Sequence, residues 1–205
     1  MSNVLVYELE NKIYINLTNR CTNDCIFCLR NDKDDVCGKT LWLDDENFTA
    51  EEVIAQLAGF KMSDEVIFCG YGEPLLKYEI LRDVAKYLKN NHPDIKIRVN
   101  TNGHGNFVNK KNILPELKNL VDKFSVSLNA SNSKEYDELS QPKFENAFEI
   151  VKDFIKTCSN EGFEVATSIV DGFKGQKLDI EKCEKISNEL GAKLRVREWI
   201  KNGYS

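Results

Sequence analysis

The chain has 205 residues, with 28 Lys+Arg against 33 Asp+Glu, which leaves a formal charge of −5. That length fits a single domain over residues 1–205, large enough to bury a core without disulfide staples. With 41% hydrophobic residues, 30% charged and four prolines, the composition is that of a globular protein, and the mild acidic excess argues against a binder of nucleic-acid phosphates. The longest apolar run, Cys25–Leu29, has five residues, too short to span a bilayer. Met1–Lys12 has no basic segment followed by an apolar core, so no signal peptide is expected and the cytoplasm is the expected compartment.

Along the chain, short β-branched runs alternate with helical stretches. Val4–Leu9 can pair as a hairpin strand, through Glu10–Asn11, with a first main strand at Lys12–Thr18. Ala50–Phe60 reads as a helix opened by Thr49, with Glu51 and Glu52 placed to suit the helix dipole. Glu65–Cys69 is the second main strand. Tyr78–Asn91 has apolar residues at Ile80, Leu81, Val84, Ala85 and Leu88 and stops before Pro93. Ile95–Asn100 is the third strand, Lys111–Val121 a helix and Lys123–Leu128 the fourth strand. A short helical turn is expected at Ser133–Leu139 and a long helix at Phe144–Asn160. Phe163–Val170 is the fifth strand, Asp179–Leu190 a helix closed by Gly191, and Lys193–Trp199 the sixth strand. Strands alternating with helices imply parallel βαβ units, in a doubly wound open sheet or a curved partial (β/α)6 barrel. In both, the working residues follow the strands, at their carboxyl ends.

The unusual residues do follow strands. After the first comes Cys21-x3-Cys25-x2-Cys28, three of seven cysteines within eight residues. An odd cysteine count without an export signal speaks against a disulfide framework. Three thiolates on one loop suit a 4Fe–4S cube with one iron left open for another ligand. The alternative is a zinc knuckle with Cys37 as fourth ligand. After the second strand comes Cys69-Gly70-Tyr71-Gly72-Glu73-Pro74, where glycines permit close backbone approach to a ligand. Asn100-Thr101-Asn102-Gly103-His104 follows the third strand. The fourth ends in Ser127 and Asn129, expected on one face by their spacing of two.

Together, the Cys21–Cys28 motif and Gly70–Pro74 resemble the radical S-adenosylmethionine (radical SAM) superfamily over essentially the whole chain, as a minimal core. More narrowly, Y-I-N-L-T-N-R-C, F-C-G-Y-G-E-P, R-V-N-T-N-G, S-V-S-L-N-A, Q-P-K-F and L-R-V-R-E resemble the TatD-linked radical SAM proteins. Members of that family carry Arg where this chain has Gln141. The resemblance implies a partial TIM-like barrel, a 4Fe–4S cluster held by Cys21, Cys25 and Cys28, and S-adenosylmethionine chelating the open iron. It implies Phe27 near the adenine and Gly70, Tyr71, Gly72 and Glu73 at the methionyl amine. Asn100, Ser127 and Asn129 would reach ribose or carboxylate, and Val196 and Arg197 the adenine. Reductive cleavage would yield methionine and a 5′-deoxyadenosyl radical that takes hydrogen from a small molecule, nucleotide or peptide. An electron donor such as flavodoxin or ferredoxin is implied.

Arg30, His104 and Arg195 are substrate-side candidates. Arg195 and Arg197 share a face by alternation, expected to be the inner one. Cys37 reads as a loop thiol or a substrate-side one. Cys69 reads as core, as do Cys158 and Cys183. Two other functions fit the motif: an activase that installs a glycyl radical on a partner enzyme, and a non-enzymatic zinc or iron–sulfur module.

Overall fold

The computed structural model describes residues 3–31, 35, 36 and 38–199; Cys37 and the roles suggested for it lie outside them. The chain forms β1 (Val6–Leu9), β2 (Lys12–Ile15), β3 (Asp35–Val36), β4 (Lys39–Thr40), α1 (Ala50–Leu57), β5 (Glu65–Phe68), α2 (Tyr78–Asn91) and β6 (Lys96–Thr101). There follow α3 (Gly105–Val108), α4 (Leu114–Leu117), β7 (Lys123–Ser127), α5 (Ser133–Ser140), α6 (Ala147–Asn160), β8 (Glu164–Asp171), α7 (Ile180–Glu189) and β9 (Lys193–Glu198).

Seven strands build the main sheet in the order β1-β2-β5-β6-β7-β8-β9. Only β1, joined to β2 by a tight turn with Glu10 and Asn11 at positive φ, is antiparallel. The other pairs are parallel and follow chain order, so the sheet advances in one direction as a partial barrel does and never reverses at a switch point. The six main strands and the amino-terminal hairpin strand are those expected from the sequence.

Register sorts the side chains into two faces. Ile15, Phe68, Val99, Phe124 and Val165 fall on one, where they join Leu81, Val84, Leu88, Val151 and Phe154 of the helices in a single core. Cys158 and Cys183 are buried in that core, as expected. The opposite, inner face carries Arg98 and Asn100 of β6, Ser125 and Ser127 of β7, Ser168 of β8, and Arg195 and Arg197 of β9. The main core thus lies between sheet and helices, and the polar residues are left to the inner face.

Two helix expectations need correction. Lys111–Val121 is not one helix: α3 and α4 are four residues each. Left-handed backbone at Lys110 and Asn119 interrupts the segment on both sides of α4, and Pro115 is accommodated only in the first turn of α4. The long helix starts at Ala147 rather than Phe144, because Asn146 is left-handed and Pro142–Lys143 pair with another part of the chain.

Candidate active site

The cysteine loop leaves the end of β2. Glu46 fixes its start, accepting from Thr18 Oγ1 (2.6 Å) and the Asn19 N–H (2.8 Å). The segment between α5 and α6 fixes its middle. Asn23 forms an antiparallel bridge to Pro142, the Asp24 and Ile26 amides donate to the Ser140 and Leu139 carbonyls, and the Lys143 amide donates to the Thr22 carbonyl. Lys143 Nζ also donates to the Cys21 carbonyl (2.8 Å). The Gln-Pro-Lys-Phe segment is therefore a brace for the cysteine loop. Gln141 contributes left-handed backbone and a carbonyl acceptor while its side chain is exposed, so the exchange of Arg for Gln there leaves the brace intact.

Cys21, Cys25 and Cys28 are free thiols, each partly accessible. Burial raises all three pKa values; the Glu73 carboxylate adds to the rise at Cys21, and Cys28 and Cys21 help push Cys25 up to about 12. Crowded thiolates repel one another and iron cations remove that repulsion, so this donor set fits a cluster. Among the described residues no three His, Cys, Asp or Glu side chains converge on one point as ligands of a single ion would; a cube, which takes each thiolate at a separate iron, needs no such convergence.

The loop after β5 is locked against the cysteine loop. The Glu73 amide donates to the Arg20 carbonyl (2.8 Å). The buried Glu73 carboxylate accepts from Leu75 N–H (3.0 Å), Thr101 Oγ1 (2.7 Å) and Asn102 N–H (2.7 Å). Burial pushes its pKa up to about 7 against those donors. The Glu73 side chain thus ties the ends of β5 and β6 together. A Cβ on Gly72 would strike the Thr18 and Arg20 carbonyls, and one on Gly70 would strike the Asn16 side chain. The room these glycines leave is filled by Asn16, just past β2, and by the backbone leading into the cysteine loop, so their first duty is protein packing rather than ligand approach. Tyr71 is buried, edge-on to Trp42 at 5.0 Å.

On the inner face, Asn100 Oδ1 and Arg197 Nε are buried without a hydrogen-bond partner among the described residues, and so is Asn129 Oδ1 at the end of β7. Unpaired buried polar atoms are costly and call for a ligand; together with the thiols they fit a polar cofactor such as S-adenosylmethionine. Phe27 packs edge-on to Phe173 (6.2 Å), which in turn meets Trp199 (5.1 Å), an aromatic wall beside the cysteines.

Five expectations change. Asn129 does not continue the face of Ser127: β7 has ended, its backbone is left-handed, and its Nδ2 donates to Ser140 Oγ (3.0 Å). Val196 is in register with Ile169, on the helix side, so of the two residues assigned to the adenine on β9 Arg197 alone faces inward, on the same face as Lys193 and Arg195. Arg30 is committed to the cysteine loop, to Asp24 (3.0 Å) and the Asn19 and Asn23 carbonyls, and not to a substrate. His104 is fully buried, its ring nitrogens 2.9 Å from Thr22 Oγ1 and 3.2 Å from Tyr136 Oη. Burial lowers its pKa to about 4, so it is a neutral strut behind the loop, closed to substrate. Cys69 is not core: by register it stands beside Asn100 on the inner face. Burial raises its pKa, while Asn100 and the Arg197 and Arg98 guanidiniums counter that.

Sequence reasoning missed Thr22, Asn102, Tyr136, Ser140 and Lys143 as parts of the site. Two of them lay in sequence motifs without a role assigned: Asn102 in Asn100–His104 and Lys143 in the Gln-Pro-Lys-Phe segment.

The Radical SAM superfamily model matches residues 15–185. An uncharacterised protein of Methanocaldococcus jannaschii is 27% identical over 117 residues, 57% of this chain and 37% of that protein. The chain thus spans little more than a third of the curated relative it matches. Among solved structures, TYW1 with a lysine–pyruvate adduct bound superposes with a TM-score of 0.65 at 16% identity, over 95% of this chain and 67% of that one. Streptococcus suis SuiB bound to S-adenosylmethionine gives 0.59 at 17%, over 94% and 40%. The methyltransferase TsrM from Kitasatospora setae, with cobalamin and a [4Fe-4S] cluster bound, gives 0.51 at 12%, over 90% and 36%.

Proposed function

The chain belongs to the radical SAM superfamily, and from that premise we propose that Cys21, Cys25 and Cys28 hold the cluster and that S-adenosylmethionine lies across the carboxyl ends of β5–β9. The protein is an enzyme, and its cofactors are a 4Fe–4S cluster and S-adenosylmethionine. When bound, they supply reductive cleavage of the sulfonium to methionine and a 5′-deoxyadenosyl radical that takes hydrogen from the substrate. The observation that carries this reading is the lock between the two loops: three free thiols sit on a loop whose Arg20 carbonyl is held by Glu73, the last residue of Gly70–Glu73.

The chain's own residues bind, orient and shield. Gly70, Tyr71, Gly72 and Glu73 present backbone toward the methionyl amine. Asn100, Ser127 and Arg197 supply polar contacts from the inner face. Phe27, Phe173 and Trp199 wall off water from the adenine side. A flavodoxin or ferredoxin serves as reductant. In our reading the chain is one of the TatD-linked radical SAM proteins, a reading supported by the sequence of the Gln-Pro-Lys-Phe segment and the other motifs it resembles. The test is anaerobic reconstitution with iron and sulfide, then reduction with S-adenosylmethionine present. Methionine and 5′-deoxyadenosine are expected by chromatography. Intact S-adenosylmethionine with the cluster verified as present and reduced overturns the reading.

A further inference from the structure

The inner face of β7–β9 is strongly cationic in a chain whose net charge is −5. By register it carries Lys123, Lys193, Arg195 and Arg197 against one carboxylate, Glu164. Glu164 is already paired with Lys123 at 2.7 Å. Lys193, Arg195 and Arg197 have no ion-pair partner among the described residues. By contrast, Arg98 of β6, in register with Lys123 on the same face, is paired with Glu65 at 3.1 Å. The excess is therefore local to β9 and its neighbours.

Depth separates the two arginines. Arg197 is nearer the carboxyl end of β9 and pairs in register with Val170; its Nε is buried and unpartnered. Arg195 is two residues nearer the amino end of β9, about 6.6 Å along the strand. It lies in one register row with Ser168 of β8 and Ser127 of β7. Among the described residues neither serine hydroxyl is engaged: the contacts at Ser168 use its carbonyl, which accepts from the Leu128 and Asn129 amides. A guanidinium in one row with two free hydroxyls, the nearer on the adjacent strand, offers the donors an oxyanion takes. S-adenosylmethionine brings a sulfonium and an ammonium against one carboxylate, so it adds to the positive charge here instead of offsetting it.

We propose that the row Ser127–Ser168–Arg195 is a substrate subsite for a carboxylate or phosphate group, beneath a cofactor held by Arg197. The substrate is an anion, drawn in by the uncompensated charge of β9 and oriented by Arg195. This rests on the proposed radical chemistry only for the word substrate; the anion site stands on the register and the charges.

The test is calorimetric titration of inorganic phosphate, and separately of succinate, into the full chain reconstituted with its cluster and saturated with S-adenosylmethionine. At least one anion is expected to bind with one-to-one stoichiometry. Arg195→Gln should weaken it at least about tenfold and leave the affinity for S-adenosylmethionine unchanged. Arg195 is exposed, so this variant keeps its fold; Arg82→Gln on α2 is the control for lost charge. The row is overturned if neither anion binds, or if Arg195→Gln has no more effect than Arg82→Gln. Cleavage of S-adenosylmethionine is followed on the same preparation. Cleavage without anion binding removes the subsite and keeps the proposed chemistry; anion binding without cleavage does the reverse.

Discussion

Asn102 Nδ2 donates to Cys21 Sγ at 3.6 Å, joining the end of β6 to the first thiol of the cysteine loop. The same amide donates to Thr22 Oγ1 at 2.6 Å, and its Oδ1 accepts the His104 backbone N–H at 3.1 Å. That backbone donor settles which way the amide points. An N–H aimed at sulfur favours the more negative, reduced cluster. Asn102→Ala is therefore expected to move the cluster potential in the negative direction in a redox titration followed by electron paramagnetic resonance. It should also cost roughly 1–3 kcal/mol of stability by leaving buried groups unpaired. An unchanged potential would remove Asn102 from any electronic role.

Gly72 has no room for a side chain, because the Thr18 and Arg20 carbonyls occupy the space a Cβ would need. Gly72→Val is expected to unseat the cysteine loop, so that reconstituted protein shows reduced iron content together with weak S-adenosylmethionine binding. Iron content equal to wild type with only the cofactor affinity lost would mean that the glycine serves the ligand alone.

Cys25 and Cys69 should separate cleanly. Cys25 stands in the cysteine loop, whereas Cys69 stands beside Asn100 on the inner face. Cys25→Ala is expected to abolish the visible iron–sulfur absorbance. Cys69→Ala should retain it, with the full complement of iron. Loss of the absorbance in both would place Cys69 in the ligand set.

Asp122 is the best-anchored carboxylate away from the site. Burial acts to raise its pKa, but Lys89 (2.7 Å), the Ile97 amide (2.9 Å) and Lys96 (3.1 Å) outweigh that and hold it below the ordinary aspartate value. The folded protein then keeps this group ionised at a pH where the unfolded chain binds a proton. Its contribution is present above about pH 4 and fades as pH falls further. Asp122→Asn should cost roughly 1–3 kcal/mol at neutral pH, and the gap to wild type in urea unfolding should narrow as the pH is lowered through that value. A gap that stayed constant down to pH 3 would contradict the assignment.

What could be read from the sequence was local in origin. Strand and helix positions followed from periodicity, and short crossovers of one hand then order the strands, so the partial barrel was legible in outline. The three cysteines were legible because their spacing is itself the motif. The rest depended on which distant groups meet. Asn102 and Cys21 are 81 positions apart, and Lys143 and Cys21 are 122 apart, so no window of sequence holds both partners. His104 and Arg30 looked available to a substrate, because residue type does not reveal that Thr22, Tyr136 and Asp24 already occupy them. Cys69 looked like core, because a strand residue's face is set by register with its neighbours. The same register carried Val196 to the helix side and left Arg195 and Arg197 inside. Side-chain chemistry could be read one residue at a time; the assignment of each group to ligand, brace or core was made only when the sheet closed rows from six strands onto one face.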